Sequence, residues 1–192
     1  MEQKETSLSK NSASFFTNAI EAVTIALLIL TPLVFYPYLV RIFNPPKELA
    51  FSILVIIGLM LWFLKMTARE EVKITRTSLN LPVLAFMVIC SLSLLWSNSP
   101  MISLLELPLF LAGTILYFIV ANNICGKHQI NRLLTTLLII SSLLGIYGIF
   151  QYNGIDFAFW KGNIARSKVF GLFGNVNYFA EYMIVPLPLA IS

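Results

Sequence analysis

Long apolar runs alternate with short polar ones along this chain, and their lengths predict membrane helices. A bilayer core about 30 Å thick needs roughly 20 residues of helix. Apolar runs lie at 20–39, 50–66, 81–96, 107–121, 133–150 and from Tyr178 onward. The expected fold is therefore all-α, a polytopic bundle of about six transmembrane helices. The first run has Glu21 at its mouth and holds Pro32 and Pro37, which membrane helices tolerate when neighbours re-satisfy the freed carbonyls. Polar residues fill 1–18, expected to be a disordered cytoplasmic tail before an uncleaved first helix, since no small-residue cleavage site ends the apolar run. Residues 19–192 then form the transmembrane domain. The sixth run carries Pro186 and Pro188 and stops at Ser192 in apolar sequence without a flanking charge, so the chain is expected to be the N-terminal portion of a longer protein, truncated C-terminally.

Composition agrees with the pattern. Hydrophobic residues make up 58% and charged residues 11%, where a soluble domain has about 25% charged. Mean hydropathy is +0.83. The formal net charge of +4 is dispersed between the apolar runs, so it speaks to topology and not to a nucleic-acid partner. With the N-terminus inside, eight basic residues fall on the inner side (Lys4, Lys10, Lys65, Arg69, Lys73, Arg76, Lys127, Arg132) and five outside (Arg41, Lys47, Lys161, Arg166, Lys168). That bias favours a cytoplasmic N-terminus, and it leaves the outer cations in two clusters where topology disfavours them. Cys90 lies in an apolar run and Cys125 in a polar loop, without metal-ligand spacing and at different expected depths, so no disulfide is expected. Ser141, Gly145 and Gly148 occupy related faces of the fifth run, a small-residue surface suited to close helix packing.

The most informative stretch runs from Arg166 to Tyr182. It combines Arg166 and Lys168, Gly171 and Gly174, and Asn175 and Asn177, and then enters the sixth apolar run. A cationic, glycine-bearing turn that feeds a helix N-terminus suits an anion, because the first amides of a helix lack partners and its dipole favours negative charge. Asparagine suits the turn and the cap.

The run Gly148-Ile149-Phe150-Gln151-Tyr152-Asn153-Gly154-Ile155-Asp156, followed by Arg166 and by Phe173-Gly174-Asn175-Val176-Asn177-Tyr178-Phe179-Ala180, resembles the O-antigen ligase and polymerase family. These are bacterial inner-membrane glycosyltransferases that use polyprenyl-diphosphate-linked glycans. Members carry an aromatic-Gly-Ile-x-Gln turn, then an arginine and Phe-Gly-Asn-Pro-Asn-aromatic; here Val176 stands where the proline usually is. Asn44-Pro45-Pro46-Lys47 and the order of helices also fit, although the last forty or so residues carry most of the specificity.

The resemblance implies transfer of a glycan from a polyprenyl diphosphate carrier to lipid A-core, another glycan or a protein, on the outer face of the bacterial inner membrane. It implies no metal and no cofactor. Arg166 would grip the donor diphosphate through its planar guanidinium, with Lys168 and Lys161 adding positive field. Asn175 and Asn177 would shape the loop and contact the donor. The catalytic base and acceptor site are expected downstream, which assigns no catalytic residue here and leaves residues 1–192 alone inactive.

Plainer roles stand beside these. Arg166 and Lys168 also suit snorkelling to lipid phosphates, and the asparagines suit ordinary caps. Glu181 is either a brace for the cationic loop or an interfacial residue. Gln151 suits the polar end of a helix, Lys47 the orientation of its turn, and Glu106 and His128 solvated positions. The family's proposed catalytic histidine lies in a large outer loop, and His128 matches no such motif. A transporter of an anionic solute is the alternative from another class, and a membrane subunit without chemistry is a third.

Overall fold

The computed structural model describes residues 2–38, 42–69, 74–157 and 169–191, with side chains from residue 13 onward. Among the described residues the chain is all-α: α1 (Glu2–Leu33), α2 (Asn44–Arg69), α3 (Asn80–Ser93), a 3-10 turn (Leu94–Trp96), α4 (Pro100–Asn123), α5 (Lys127–Tyr152), α6 (Val176–Ile184) and α7 (Leu187–Ile191). Four segments are long and apolar enough to cross a membrane: Ala13–Leu33, Asn44–Arg69, Pro100–Asn123 and Lys127–Tyr152. Several apolar helices of this length are what a multi-pass membrane protein requires.

The elements depart from the apolar runs where proline and capping chemistry intervene. Helix α1 takes in nearly all the segment expected to be a disordered tail, and it ends at Leu33 instead of continuing to residue 39. Pro37 opposes continuation, because a proline disfavours helical backbone at the residue before it. Helix α2 starts six residues before its apolar run, since Pro45 and Pro46 sit in the first turn, where their missing N–H groups cost nothing. Helix α4 likewise begins at Pro100, well ahead of residue 107. The third apolar run gives the short apolar helix Asn80–Trp96, which tightens into 3-10 geometry before Ser97 turns extended. The sixth run is broken into α6 and α7 around Pro186, which cannot donate the next helical hydrogen bond.

The chain divides into two compact units. The first comprises Met1–Thr24 and Ser52–Gly126, the second Ile25–Phe51 and Lys127–Ser192. In the first, Ile20, Val55 and Ile119 are almost fully buried, and a Cβ on Gly58 would meet Ile119 Cδ1 at 3.4 Å and Val23 Cγ1 at 3.8 Å. Cys90 and Cys125, both in this unit, are free thiols.

In the second unit, Ile140, Leu144 and Leu172 form a buried cluster against Ile29, Leu33, Phe35, Tyr147, Phe173, Phe179 and Tyr182. The small-residue face of α5 packs against α6. Ser141 Oγ donates to the Leu137 carbonyl at 2.7 Å and lies 3.5 Å from the Tyr182 hydroxyl. A Cβ on Gly145 would meet Met183 Cε at 3.2 Å, and one on Gly148 would meet the Phe179 ring at 3.0 Å. In the first unit, Ile53, Ile56, Met60 and Phe63 along α2 are exposed, which suits a face turned to lipid.

Gly58 tests the packing of the first unit. Gly58→Leu is expected to lower stability in detergent by about 1–3 kcal/mol through overpacking. Gly58→Ala, which brings only ordinary contacts and a better helix former, is expected to leave the melting temperature unchanged or raised.

Candidate functional site

The site is built in the second unit from the end of α5, the turn before α6 and the start of α2. At its base is Gln151, a buried amide at the last turn of α5. Its Oε1 accepts from the backbone N–H groups of Phe170 (2.8 Å) and Gly171 (2.9 Å). Its Nε2 donates to Asp156 Oδ2 at 2.9 Å. Asp156 Oδ1 in turn accepts from the Tyr147 hydroxyl and, at 2.8 Å, from the Phe157 amide. One glutamine thus ties the last turn of α5 to the glycine turn before α6, and a carboxylate fixes which way its amide faces.

Beyond the glutamine the backbone turns sharply. The Phe173 N–H donates to the Phe170 carbonyl at 3.1 Å, closing a four-residue turn. Gly171 (φ +56°) and Gly174 (φ +69°) both take the left-handed conformation that side chains disfavour. Space excludes side chains there as well: a Cβ on Gly171 would collide with the Phe179 ring, and one on Gly174 with Phe43. Asn175 then caps α6, its Oδ1 accepting from the Asn177 N–H at 2.8 Å. Val176 occupies the first helical position, where the backbone N–H has no intrahelical partner, so proline and valine are both accommodated there.

Lys47, in the first turns of α2, reaches back to the end of α1. Its Nζ donates to the Thr31 carbonyl at 3.2 Å and to the Pro32 carbonyl. These belong to the last turn of α1, where carbonyls lack helical partners and the dipole favours a cation. The same ammonium lies 4.9 Å from the centroid of Phe173, a cation–π contact with the glycine turn. Phe173 itself packs on Tyr182 and Phe179, with ring centroids 5.0 and 6.0 Å apart. Lys47 therefore orients the turn it occupies and braces the one beside it.

Ile42, Phe43, Asn44, Phe173, Gly174, Asn175 and Tyr178 line an open cavity of about 390 Å³. Asn44 opens α2 and Asn175 caps α6, so the starts of two helices border it, and neither first turn holds an acidic residue. Partly charged amides at the start of α6 favour an anion, whereas Pro45 and Pro46 leave the start of α2 with few N–H groups; Phe43, Phe173 and Tyr178 offer flat faces for apolar or sugar groups. No acid or base is among the residues that line it. The arrangement is one for binding.

The sequence-predicted residues fall as follows. Asn175 is the cap and lines the cavity; Asn177 is exposed in the first turn of α6. Arg166, Lys168 and Lys161 lie outside the described residues. Glu181, Glu106 and His128 are exposed. Among the described residues no group of three His, Cys, Asp or Glu could hold a metal. Sequence reading gave no role to Tyr147 and Asp156, although a carboxylate five residues after Gln151 in an aromatic run was a usable signal. Phe43 is singled out by no pattern in the sequence, because aromatic residues abound in this chain.

Gln151→Leu leaves two buried amide donors unpaired and is expected to cost about 2–4 kcal/mol, read as thermal unfolding in detergent. Gln151→Glu keeps an acceptor but puts a second carboxylate beside Asp156, so its loss should shrink as the pH falls and one of the pair takes up a proton. Lys47→Met is expected to cost about 1–2 kcal/mol by uncapping α1. Compared with known proteins, the chain is matched by no family model, no curated protein and no solved structure.

Proposed function

We propose that this chain forms the donor-binding part of an O-antigen ligase-like glycosyltransferase of the bacterial inner membrane, with six spans and a cytoplasmic N-terminus. Its substrate is a glycan on a polyprenyl diphosphate carrier, and its acceptor is a hydroxyl of lipid A-core, a glycan or a protein. The observation that carries this reading is the cavity lined both by Asn44, the first residue of Asn44-Pro45-Pro46-Lys47, and by Phe173-Gly174-Asn175. These segments were singled out by sequence resemblance alone, and they meet at one surface with two helix starts and aromatic walls.

In the reaction, the acceptor hydroxyl attacks the anomeric carbon opposite the diphosphate. The sugar–oxygen bond to the carrier breaks, its electron pair leaves with the diphosphate, and the hydroxyl proton passes to a general base. Arg166, with Lys168 and Lys161, stabilises the charge that develops on the leaving diphosphate. Asn175 and Asn177 shape the loop that receives it. The polyprenyl chain remains in the bilayer.

The test is labelling of the chain in lipid nanodiscs by a photoactivatable polyprenyl diphosphate. Arg166→Ala is expected to weaken the concentration dependence of labelling roughly 10- to 100-fold, the worth of one charge-assisted contact. Glu106→Ala should leave it unchanged. Equal labelling by the corresponding polyprenyl alcohol, or labelling indifferent to both Arg166→Ala and Asn175→Ala, would overturn the assignment. Uptake of an anionic solute into vesicles that survives Arg166→Ala would favour transport instead.

A further inference from the structure

A second polar cavity lies in the first unit and has no part in the reading above. It measures about 110 Å³ and is lined chiefly by Lys65 and Arg69 of α2, Asn122 and Asn123 of α4, Thr75 and Trp62. At about 30 Å³ for a water molecule, it has room for a group of several heavy atoms.

Lys65 is the anomaly. Its side chain is only 8% exposed, yet among the described residues its ammonium makes one hydrogen bond, to Asn123 Oδ1 at 2.7 Å. Asn123 is itself fixed, because its Nδ2 donates to the Ile119 carbonyl at 2.8 Å. A lysine ammonium carries three donors, so among the described residues two remain without a protein acceptor. Asn122 does not supply one. Its Oδ1 accepts from the Thr75 amide at 2.6 Å, and its Nδ2 donates to the Phe118 carbonyl at 2.7 Å.

Arg69 stands one helical turn further along α2, at the same cavity, and is exposed. The end of a helix favours cations, which accounts for Arg69. It does not account for a second cation held out of solvent beside the first, since burying a charge is costly unless it is paired. Among the described residues no carboxylate lines the cavity. Two positive groups, donors left over among the described residues and a cavity of this size suit a small anion with several acceptor oxygens. Trp62 on the rim suits the headgroup level of a bilayer, where indole rings concentrate.

We infer that Lys65 and Arg69 form a binding site for a phosphate group, with the Lys65 ammonium bridging it to Asn123 and the Arg69 guanidinium closing over it. The phosphate belongs either to the headgroup of an anionic phospholipid or to a soluble phosphate compound. Both present the same tetrahedral oxygens.

The experiment uses the whole chain purified in a neutral detergent. Native mass spectrometry follows retention of added phosphatidylglycerol against phosphatidylcholine, and inorganic phosphate is titrated as competitor. We expect phosphatidylglycerol to be retained over phosphatidylcholine, and Lys65→Met and Arg69→Gln each to weaken retention at least about tenfold. Methionine keeps the length and apolar stem of Lys65, and Arg69 is exposed, so at least the second variant should fold as the parent does. Displacement by inorganic phosphate alone, with no lipid preference but the same loss in both variants, identifies the soluble source and still supports the site. Equal binding by parent and variants overturns it. So does binding that appears only when the sequence neighbours Glu70 and Glu71 are changed to glutamine, because the pair would then be neutralised within the chain.

Discussion

A single side-chain amide holds the candidate site together. The Phe170 and Gly171 N–H groups belong to no helix ladder, and in apolar surroundings an unpaired amide is costly. Gln151 Oε1 accepts from both, and its other end is engaged by Asp156. Only an amide does this without charge: it presents an acceptor to two backbone donors and a donor to a carboxylate at once. The glycine turn, the cap of α6 and the aromatic wall of the cavity all follow from where this amide fixes the chain.

The turn that Gln151 anchors is defined by crowding as much as by dihedral angle. Phe179 fills the space beside Gly171, and Phe43 the space beside Gly174. Phe173 is thereby held against Tyr182 on one side and under the Lys47 ammonium on the other. Lys47 couples two problems that each need a cation, the unpaired carbonyls at the end of α1 and the face of an aromatic ring. Beside this dense aromatic cluster, the start of α6 and the Asn44 and Asn175 side chains supply polar features of the cavity.

Polar groups in the described helices are placed sparingly and most are committed, the buried Thr31 hydroxyl being an exception. Thr17, Thr24, Ser91, Thr114, Thr136 and Ser141 return their hydroxyls to carbonyls within their own helices, the usual way to carry a hydroxyl in an apolar setting. Against that pattern Lys65 stands out, because an ammonium satisfied by one neutral oxygen does not follow the same economy. The contrast between the two lysines is instructive. Lys47 has two carbonyls and a ring, whereas Lys65 has a single amide oxygen beside a second cation.

Much of this protein was legible in its sequence. Apolar runs of near-bilayer length are a one-dimensional property, and they determine an all-α fold with several long apolar helices whatever the tertiary packing. Glycine and asparagine before Val176 likewise announce a turn and a cap, since backbone conformation and capping are local. What the sequence left open was decided over distance. Proline positions shifted α1, α2 and α4 from their apolar runs and split the last one, because the effect of a proline depends on which carbonyls find partners elsewhere. The link from Gln151 to Phe170 spans 19 residues, and that from Lys47 to Thr31 spans 16. The union of the Asn44 and Asn175 segments at one cavity spans well over a hundred. Such meetings depend on which helix faces pack together, and a sequence lists those faces without pairing them.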